Sequence, residues 1–145
     1  MNIIYFYRPK DPWGILSNFY VAPITIDGLV YRSTEHYFQA MKFEGTVYAE
    51  YIRNCNTPYQ AAKEGRRRDF PLRTDWEQVK EQYMWKALCT KFTTIPECYY
   101  TLINTGNSIL VEQTKKDKYW GDGGDGTGRN RLGILLMELR RQLCR

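Results

Sequence analysis

Two short stretches of the chain alternate apolar and polar residues, and most of the remainder repeats its apolar positions at helical spacing. Residues 3–7 read as a short strand. Residues 24–31 alternate on both sides of Asp27-Gly28, a dipeptide suited to the type I′ turn of a β-hairpin. Ser33 or Thr34 then caps a helix to about residue 43, and a further helix covers residues 48–53. Thr57-Pro58-Tyr59-Gln60 combines a capping box with proline at the first helical position, and Gly65 closes that helix. A second capping box, Thr74-x-x-Glu77, opens a longer helix to about residue 92. Its apolar face carries Trp76, Val79, Tyr83, Ala87 and Leu88. Pro96 starts another helix that Gly106 ends, and residues 108–112 form a short strand. Leu132, Leu135, Leu136 and Leu139 mark a final helix over residues 131–143, capped by Asn130. The pattern predicts a mostly helical α+β fold with a small antiparallel sheet. No linker, repeat or low-complexity stretch divides it, so residues 1–145 are expected to form a single domain.

Composition narrows the class. A chain of 145 residues is long enough to bury a core. Its net charge of +5 favours anionic ligands in a general way. Twelve tyrosines and four tryptophans supply core material and also surfaces for stacking on a flat heterocycle. The four cysteines form no C-x-x-C pair and there is one histidine, so no Cys/His zinc site is expected. The first residues lack the basic start of a signal peptide, and no apolar run reaches membrane-spanning length. A soluble, reducing, cytoplasmic setting is the expectation, with no membrane and no obligate protein partner.

The densest chemical signal is the segment Asp117-Lys118-Tyr119-Trp120-Gly121-Asp122-Gly123-Gly124-Asp125-Gly126-Thr127-Gly128-Arg129-Asn130. Five glycines within eight residues need a local reason: positive φ angles or close approach of backbone to a ligand. A glycine loop opening onto a helix N-terminus suits an anion such as phosphate. The segment is neither a Walker A loop nor a dinucleotide fingerprint, because it lacks the Gly-Lys-Ser/Thr sequence and the preceding strand. A tight connection is the other reading. Glu35 falls in the first turn of its helix, where the dipole favours its ionised form. Glu35, Gln39 and Lys42 share one helical face, with Phe38 nearby, and His36 points elsewhere as a structural residue. Arg66 and Arg68 fit phosphate oxygens and Trp76 fits a base, or the segment is a solvated basic turn. Asn18 is a loop residue that needs partners if buried. A carboxylate, aromatics, arginines and loop N–H groups are together the parts needed to cleave a glycosidic bond in a phosphorylated nucleoside-like ligand.

Ser17-Asn18-Phe19, Ser33-Thr34-Glu35-His36-Tyr37-Phe38-Gln39-Ala40, Lys91-Phe92, Leu110-Val111-Glu112, Asp117-Lys118-Tyr119-Trp120-Gly121-Asp122-Gly123-Gly124 and Gly128-Arg129-Asn130-Arg131-Leu132-Gly133 strongly resemble the YbiA-like proteins of the NADAR superfamily. The order and spacing match over nearly the whole chain. The resemblance implies a compact, largely helical domain and an N-glycosidase that needs no metal or other cofactor. Its implied substrates are phosphoribosylamino-pyrimidine intermediates of riboflavin synthesis, or ADP-ribose on guanine bases of nucleic acid. It places the catalytic carboxylate on Glu35, an acidic partner on Asp117, and functional tryptophans on Trp76 and Trp120. Asn18, Arg66, Arg68, Gly121, Asp122, Gly123 and Asn130 complete the expected substrate-binding set. A non-catalytic module that binds ADP-ribose or nucleic acid is the alternative.

Overall fold

The computed structural model describes residues 2–145. In chain order the elements are β1 (Ile3–Phe6), a 3-10 turn (Gly14–Leu16), β2 (Ile24–Ile26), β3 (Leu29–Tyr31), α1 (Thr34–Met41), α2 (Val47–Arg53), α3 (Pro58–Gly65), α4 (Trp76–Thr94), α5 (Pro96–Asn104), β4 (Ile109–Glu112) and α6 (Arg131–Leu143). They gather into two compact units. One is Asn18–Thr94; the other is Ile95–Arg145 with the N-terminal segment up to Ser17.

The Asn18–Thr94 unit is organised around α1, which packs against α2, α3, α4 and β3. All eight residues of α1 are buried. The β2–β3 hairpin pairs Ile24 with Tyr31 and Ile26 with Leu29, antiparallel as expected. Asp27 and Gly28 take φ of 52° and 80°, the two left-handed residues that a type I′ turn requires. Ser33 caps α1 by accepting from His36 N, and Thr57 caps α3 by accepting from Gln60 N with Pro58 in the first turn. Gln60 Oε1 reaches past the cap to Asn56 N at 3.4 Å, so the box closes one residue further out. The expected Thr74 box does not open α4. Asp75 O takes the amides of Gln78 and Val79, and the Glu77 carboxylate is held by Lys80 at 2.6 Å. On α4 the buried positions are Trp76, Met84, Ala87, Leu88, Lys91 and Phe92. Val79 and Tyr83 are only half-buried, because the Tyr83 hydroxyl meets Arg73 and Glu44.

The other unit holds a pair the sequence pattern did not predict. β1 and β4 run parallel, with Ile3 opposite Ile109 and Phe6 opposite Glu112. The structure therefore has two two-stranded sheets among the described residues, one antiparallel and one parallel. α6 lies along β4 so closely that a Cβ on Gly133 would fall 2.1 Å from Leu110 O. Phe6, Leu16, Leu102, Leu110, Leu132, Leu136 and Leu139 form its buried apolar set.

Candidate active site

The N-terminus of α1 is fixed from two directions. His36 bridges Ser33 Oγ at 2.7 Å and Cys55 O at 2.9 Å. A carbonyl can only accept, so Nε2 carries the proton and Nδ1 accepts from the serine hydroxyl. Burial lowers the pKa of this ring, which keeps it neutral and structural, as its sequence position indicated. On the other side, Asn18 O accepts from Glu35 N at 3.2 Å and Asn18 Oδ1 from Thr34 Oγ1 at 2.8 Å. Asn18 Nδ2 donates to Met84 Sδ at 3.4 Å, a weak acceptor. Both ends of the Asn18 side chain are thus engaged by protein, and its visible task is to hold the first turn that carries Glu35.

Glu35 is buried, 7% exposed. Gln39 Nε2, one turn on, donates to Glu35 Oε2 at 2.6 Å. That bond fixes which end of the amide faces the carboxylate. It leaves Gln39 Oε1 buried without a hydrogen-bond donor, lying over Gly65, where a Cβ would sit 1.9 Å from it. Lys42, a further turn along, donates from Nζ to Gly65 O at 3.3 Å and stands 6.0 Å from the rings of Phe38 and Trp76. Burial pushes the Lys42 pKa down to about 8. The Glu35 carboxylate opposes that fall, and the cations Arg68, Arg66 and Lys80 add to it. The spacing 35, 39, 42 made this stripe visible in the sequence, but Gln39 and Lys42 were not among the expected site residues.

The remaining expected residues divide. Trp76 is buried, its ring 5.0 Å from Phe38 and 6.1 Å from Tyr83, so it belongs to this cluster through apolar packing. Arg68 shares the Gly65 carbonyl with Lys42, at 2.9 Å. Arg66 is exposed and touches the cluster only through its charge. Asp117, Trp120, Gly121, Asp122, Gly123 and Asn130 lie in the other unit.

There the glycine segment is folded on itself, and several of its amides are taken by protein acceptors. Asp117 Oδ1 accepts from Tyr119 N and Trp120 N at 2.8 and 2.7 Å, turning the chain before the glycines. Asp122 is buried, and its Oδ1 accepts from Thr114 N and Gly124 N. Gly123 N donates to Asp117 O and Gly128 N to Asp122 O. Two of the first amides of α6, Arg131 N and Leu132 N, are taken by Tyr119 O and Trp120 O. The glycines have local causes. Gly124 sits at φ 89°, and a Cβ on Gly128 would fall 2.6 Å from Gly121 O. Asn130 occupies the cap position of α6, but at φ 50° and with no cap bond from its side chain. Its amide instead pairs with the outer edge of β4, accepting from Glu112 N at 3.0 Å and donating to Leu110 O at 2.9 Å.

Cavities open elsewhere in each unit. One of about 540 Å³ lies beside the C-terminal half of α6, and one of about 400 Å³ lies between β3, α1 and α2; neither is lined by Glu35. The carboxylate cluster is identified by its chemistry and not by cavity size. Among the described residues no group of three or more His, Cys, Asp or Glu side chains is placed to hold a metal ion, and no helix is long and apolar enough to cross a membrane.

Comparison with known proteins identifies the family. The NADAR domain model matches residues 5–144. The chain is 52% identical to the N-glycosidase YbiA of Shigella flexneri, over 99% of this chain and 89% of that protein. It is 39% identical to a riboflavin biosynthesis protein of Vibrio vulnificus, over 97% of this chain but 38% of that longer protein. The NMR structure of the Escherichia coli protein YbiA superposes with a TM-score of 0.90 at 52% identity, over 99% of this chain and 85% of that one. With the Glu35 motif and the Tyr-Trp-Gly-Asp-Gly segment both present and the match running almost end to end, this chain belongs to the NADAR domain family.

Proposed function

We propose that this protein is an N-glycosidase that hydrolyses the bond between the anomeric carbon of a phosphorylated ribose and a nitrogen of a heterocycle. Two substrate classes fit: phosphoribosylamino-pyrimidine intermediates of riboflavin synthesis, and ADP-ribose carried on guanine bases of nucleic acid. The observation that carries the reading is the Glu35 carboxylate, buried at the first turn of α1 and held by Gln39 at 2.6 Å. As the C–N bond lengthens, positive charge grows on the ribose ring. A fixed carboxylate in a partly desolvated setting opposes that charge more strongly than it does the neutral ground state. Water then attacks the anomeric carbon. Its oxygen forms the new C–O bond, Glu35 takes the proton it releases, and that proton passes to the departing nitrogen. The Glu35 carboxylate and the Lys42 ammonium attract one another, which is the upward pull that Glu35 exerts on the Lys42 pKa.

Trp76 supplies an apolar wall, and Arg68 and Arg66 supply charge for a phosphate. The parts given to Asp117 as a second carboxylate and to Trp120 as a stacking surface rest on the family motif. The names of relatives support the reaction class, and the Vibrio relative's name supports the riboflavin branch.

The test is a single-turnover comparison of the two substrate classes, with free base and ribose phosphate separated by chromatography. Glu35→Gln keeps an acceptor for Gln39, so the fold is expected to survive. kcat and kcat/KM should fall together, by roughly 10²–10⁴-fold. Turnover by Glu35→Gln at the wild-type rate would remove the carboxylate from the chemistry. Binding without product in the wild-type protein would make the domain a ligand reader.

A further inference from the structure

α1 carries a second set of groups on its reverse side. Tyr37 and Met41 stand two positions after Glu35 and Gln39, about 200° around the helix. With Tyr31 of β3, with Asp27 and Leu29 of the hairpin, with Glu44 from the turn before α2, and with Val47 and Glu50 of α2, they line the cavity of about 400 Å³. Tyr31 and Tyr37 are 4% and 1% exposed and meet edge to face at 5.0 Å. Neither phenol hydroxyl has a hydrogen-bond partner among the described residues. Both residues line the cavity with hydroxyl hydrogen-bonding capacity that the protein leaves unused, so they suit a polar occupant.

Charge selects the sign of that occupant. Asp27, Glu44 and Glu50 surround the opening. Their protein partners are Lys86 to Asp27 at 3.5 Å, Arg73 and the Tyr83 hydroxyl to Glu44 at 3.1 and 2.8 Å, and Arg53 to Glu50 at 2.7 Å. Arg53 also lies 5.9 Å from the Tyr31 ring. Both oxygens of Glu50 are used by Arg53. Asp27 Oδ1 and Glu44 Oε2 carry no bond to the described protein. Burial raises the pKa of Tyr31 and of Tyr37, and the Asp27 and Glu44 carboxylates raise both further, so the phenols face these anions as neutral groups. Leu29, Met41 and Val47 supply apolar wall, and Val47 is 82% exposed at the rim.

We infer that this cavity is a binding site for an alkylammonium group, with the aliphatic stem against Leu29, Met41 and Val47 and the cationic head among the Tyr31 and Tyr37 hydroxyls and the Glu44 and Asp27 carboxylates. Aromatic rings and carboxylates together recognise such a head by cation–π and charge-assisted contacts. A free diamine and a lysine side chain share this chemistry. The site is separate from the Glu35 stripe but built on the same helix, so its occupant would touch the element that carries the candidate carboxylate.

The experiment is a titration of the full chain with cadaverine, with Nα-acetyl-lysine methylamide and with neutral 1-pentanol, followed by calorimetry and by NMR of the tyrosine rings. The expected result is saturable binding of at least one ammonium probe, shifts at Tyr31 and Tyr37, and no binding of pentanol. Tighter binding of cadaverine would identify a free amine as the natural ligand, and tighter binding of the lysine probe a peptide side chain. Tyr37→Phe and Glu44→Gln should each weaken binding about tenfold, while the rings keep their packing. Glu35→Gln should bind the probe as the wild type does, which separates this inference from the proposed glycosidase site. Absence of binding by both ammonium probes would overturn it. So would equal binding of pentanol, or affinity unchanged in the Tyr37→Phe, Glu44→Gln double variant with native circular dichroism.

Discussion

Lys42 gives the sharpest measurable consequence of the buried cluster. The residue is 7% exposed, and burial moves its pKa from 10.5 to about 8 despite the neighbouring Glu35 carboxylate. A downward shift of that size is about 3 kcal/mol of preference against the charged form in the folded protein. Between pH 8 and 10.5 the unfolded chain holds the Lys42 proton and the folded chain has released it. Stability therefore rises with pH across that window, since the unfolded state binds more protons. Below pH 8 both states are protonated and the full cost is present. Lys42→Met keeps the apolar stem and removes the titration. The assay is urea unfolding of both proteins at several values from pH 7 to 10.5. Other tyrosine, cysteine and lysine titrations occur in both chains and cancel in the difference. The wild type should gain about 3 kcal/mol on the variant as pH rises through the window. A wild-type-to-variant difference that stays constant to within about 0.5 kcal/mol would refute the assignment of a desolvated ammonium at this position.

Gly65→Ala tests the clamp on Glu35: its Cβ would fall 1.9 Å from Gln39 Oε1 and 2.9 Å from Gln39 Cβ, so Gln39 must move off the carboxylate. Proteolytic resistance and fold should persist with a loss of about 1–3 kcal/mol, while kcat drops at least tenfold; an unchanged kcat would show that the clamp does not position the carboxylate. Asn130→Ala should destabilise by about 2–4 kcal/mol, because two hydrogen bonds to β4 are lost and alanine must adopt φ 50°. Asn130→Gly should recover about 1 kcal/mol of that, and equal losses in thermal unfolding would remove backbone strain from the account.

Local chemistry explains what was legible in the sequence. The Asp27-Gly28 turn and the Thr57-Pro58 helix start are fixed by φ preferences and by bonds spanning three or four residues. The 35, 39, 42 stripe was legible for the same reason. What failed depended on partners far along the chain. The parallel pairing of β1 with β4 joins segments with most of the sequence between them, and no periodicity encodes it. Asn130 looked like a cap because asparagine often is one, yet its amide is claimed by β4, twenty residues back. In the glycine loop, the sequence did not show that Asp117, Asp122 and neighbouring carbonyls take several of the amides. Thr74-x-x-Glu77 matched a capping pattern, but Glu77 is taken by Lys80.

The burial of α1 is the strongest physical argument that this helix is there for chemistry. A helix surrounded on all sides is ordinarily apolar throughout. This one buries Thr34, Glu35, His36 and Gln39 in its eight residues, with Lys42 next in line. Burying ionisable groups costs several kcal/mol each unless they are matched, and an apolar set of similar volume would be the more stable filling. The surroundings compensate group by group: His36 is held neutral between Ser33 and Cys55, Thr34 is satisfied by Asn18, and Lys42 is supported by Gly65 O and Glu35. Gln39 Oε1 is the atom for which this matching fails. Local rules are broken most where a fold serves function, and here the one buried unsatisfied acceptor among the described residues belongs to the residue that holds Glu35. Stability alone would replace Gln39 with leucine. Its presence is accounted for by orienting a carboxylate, at the expense of a stranded carbonyl oxygen over Gly65.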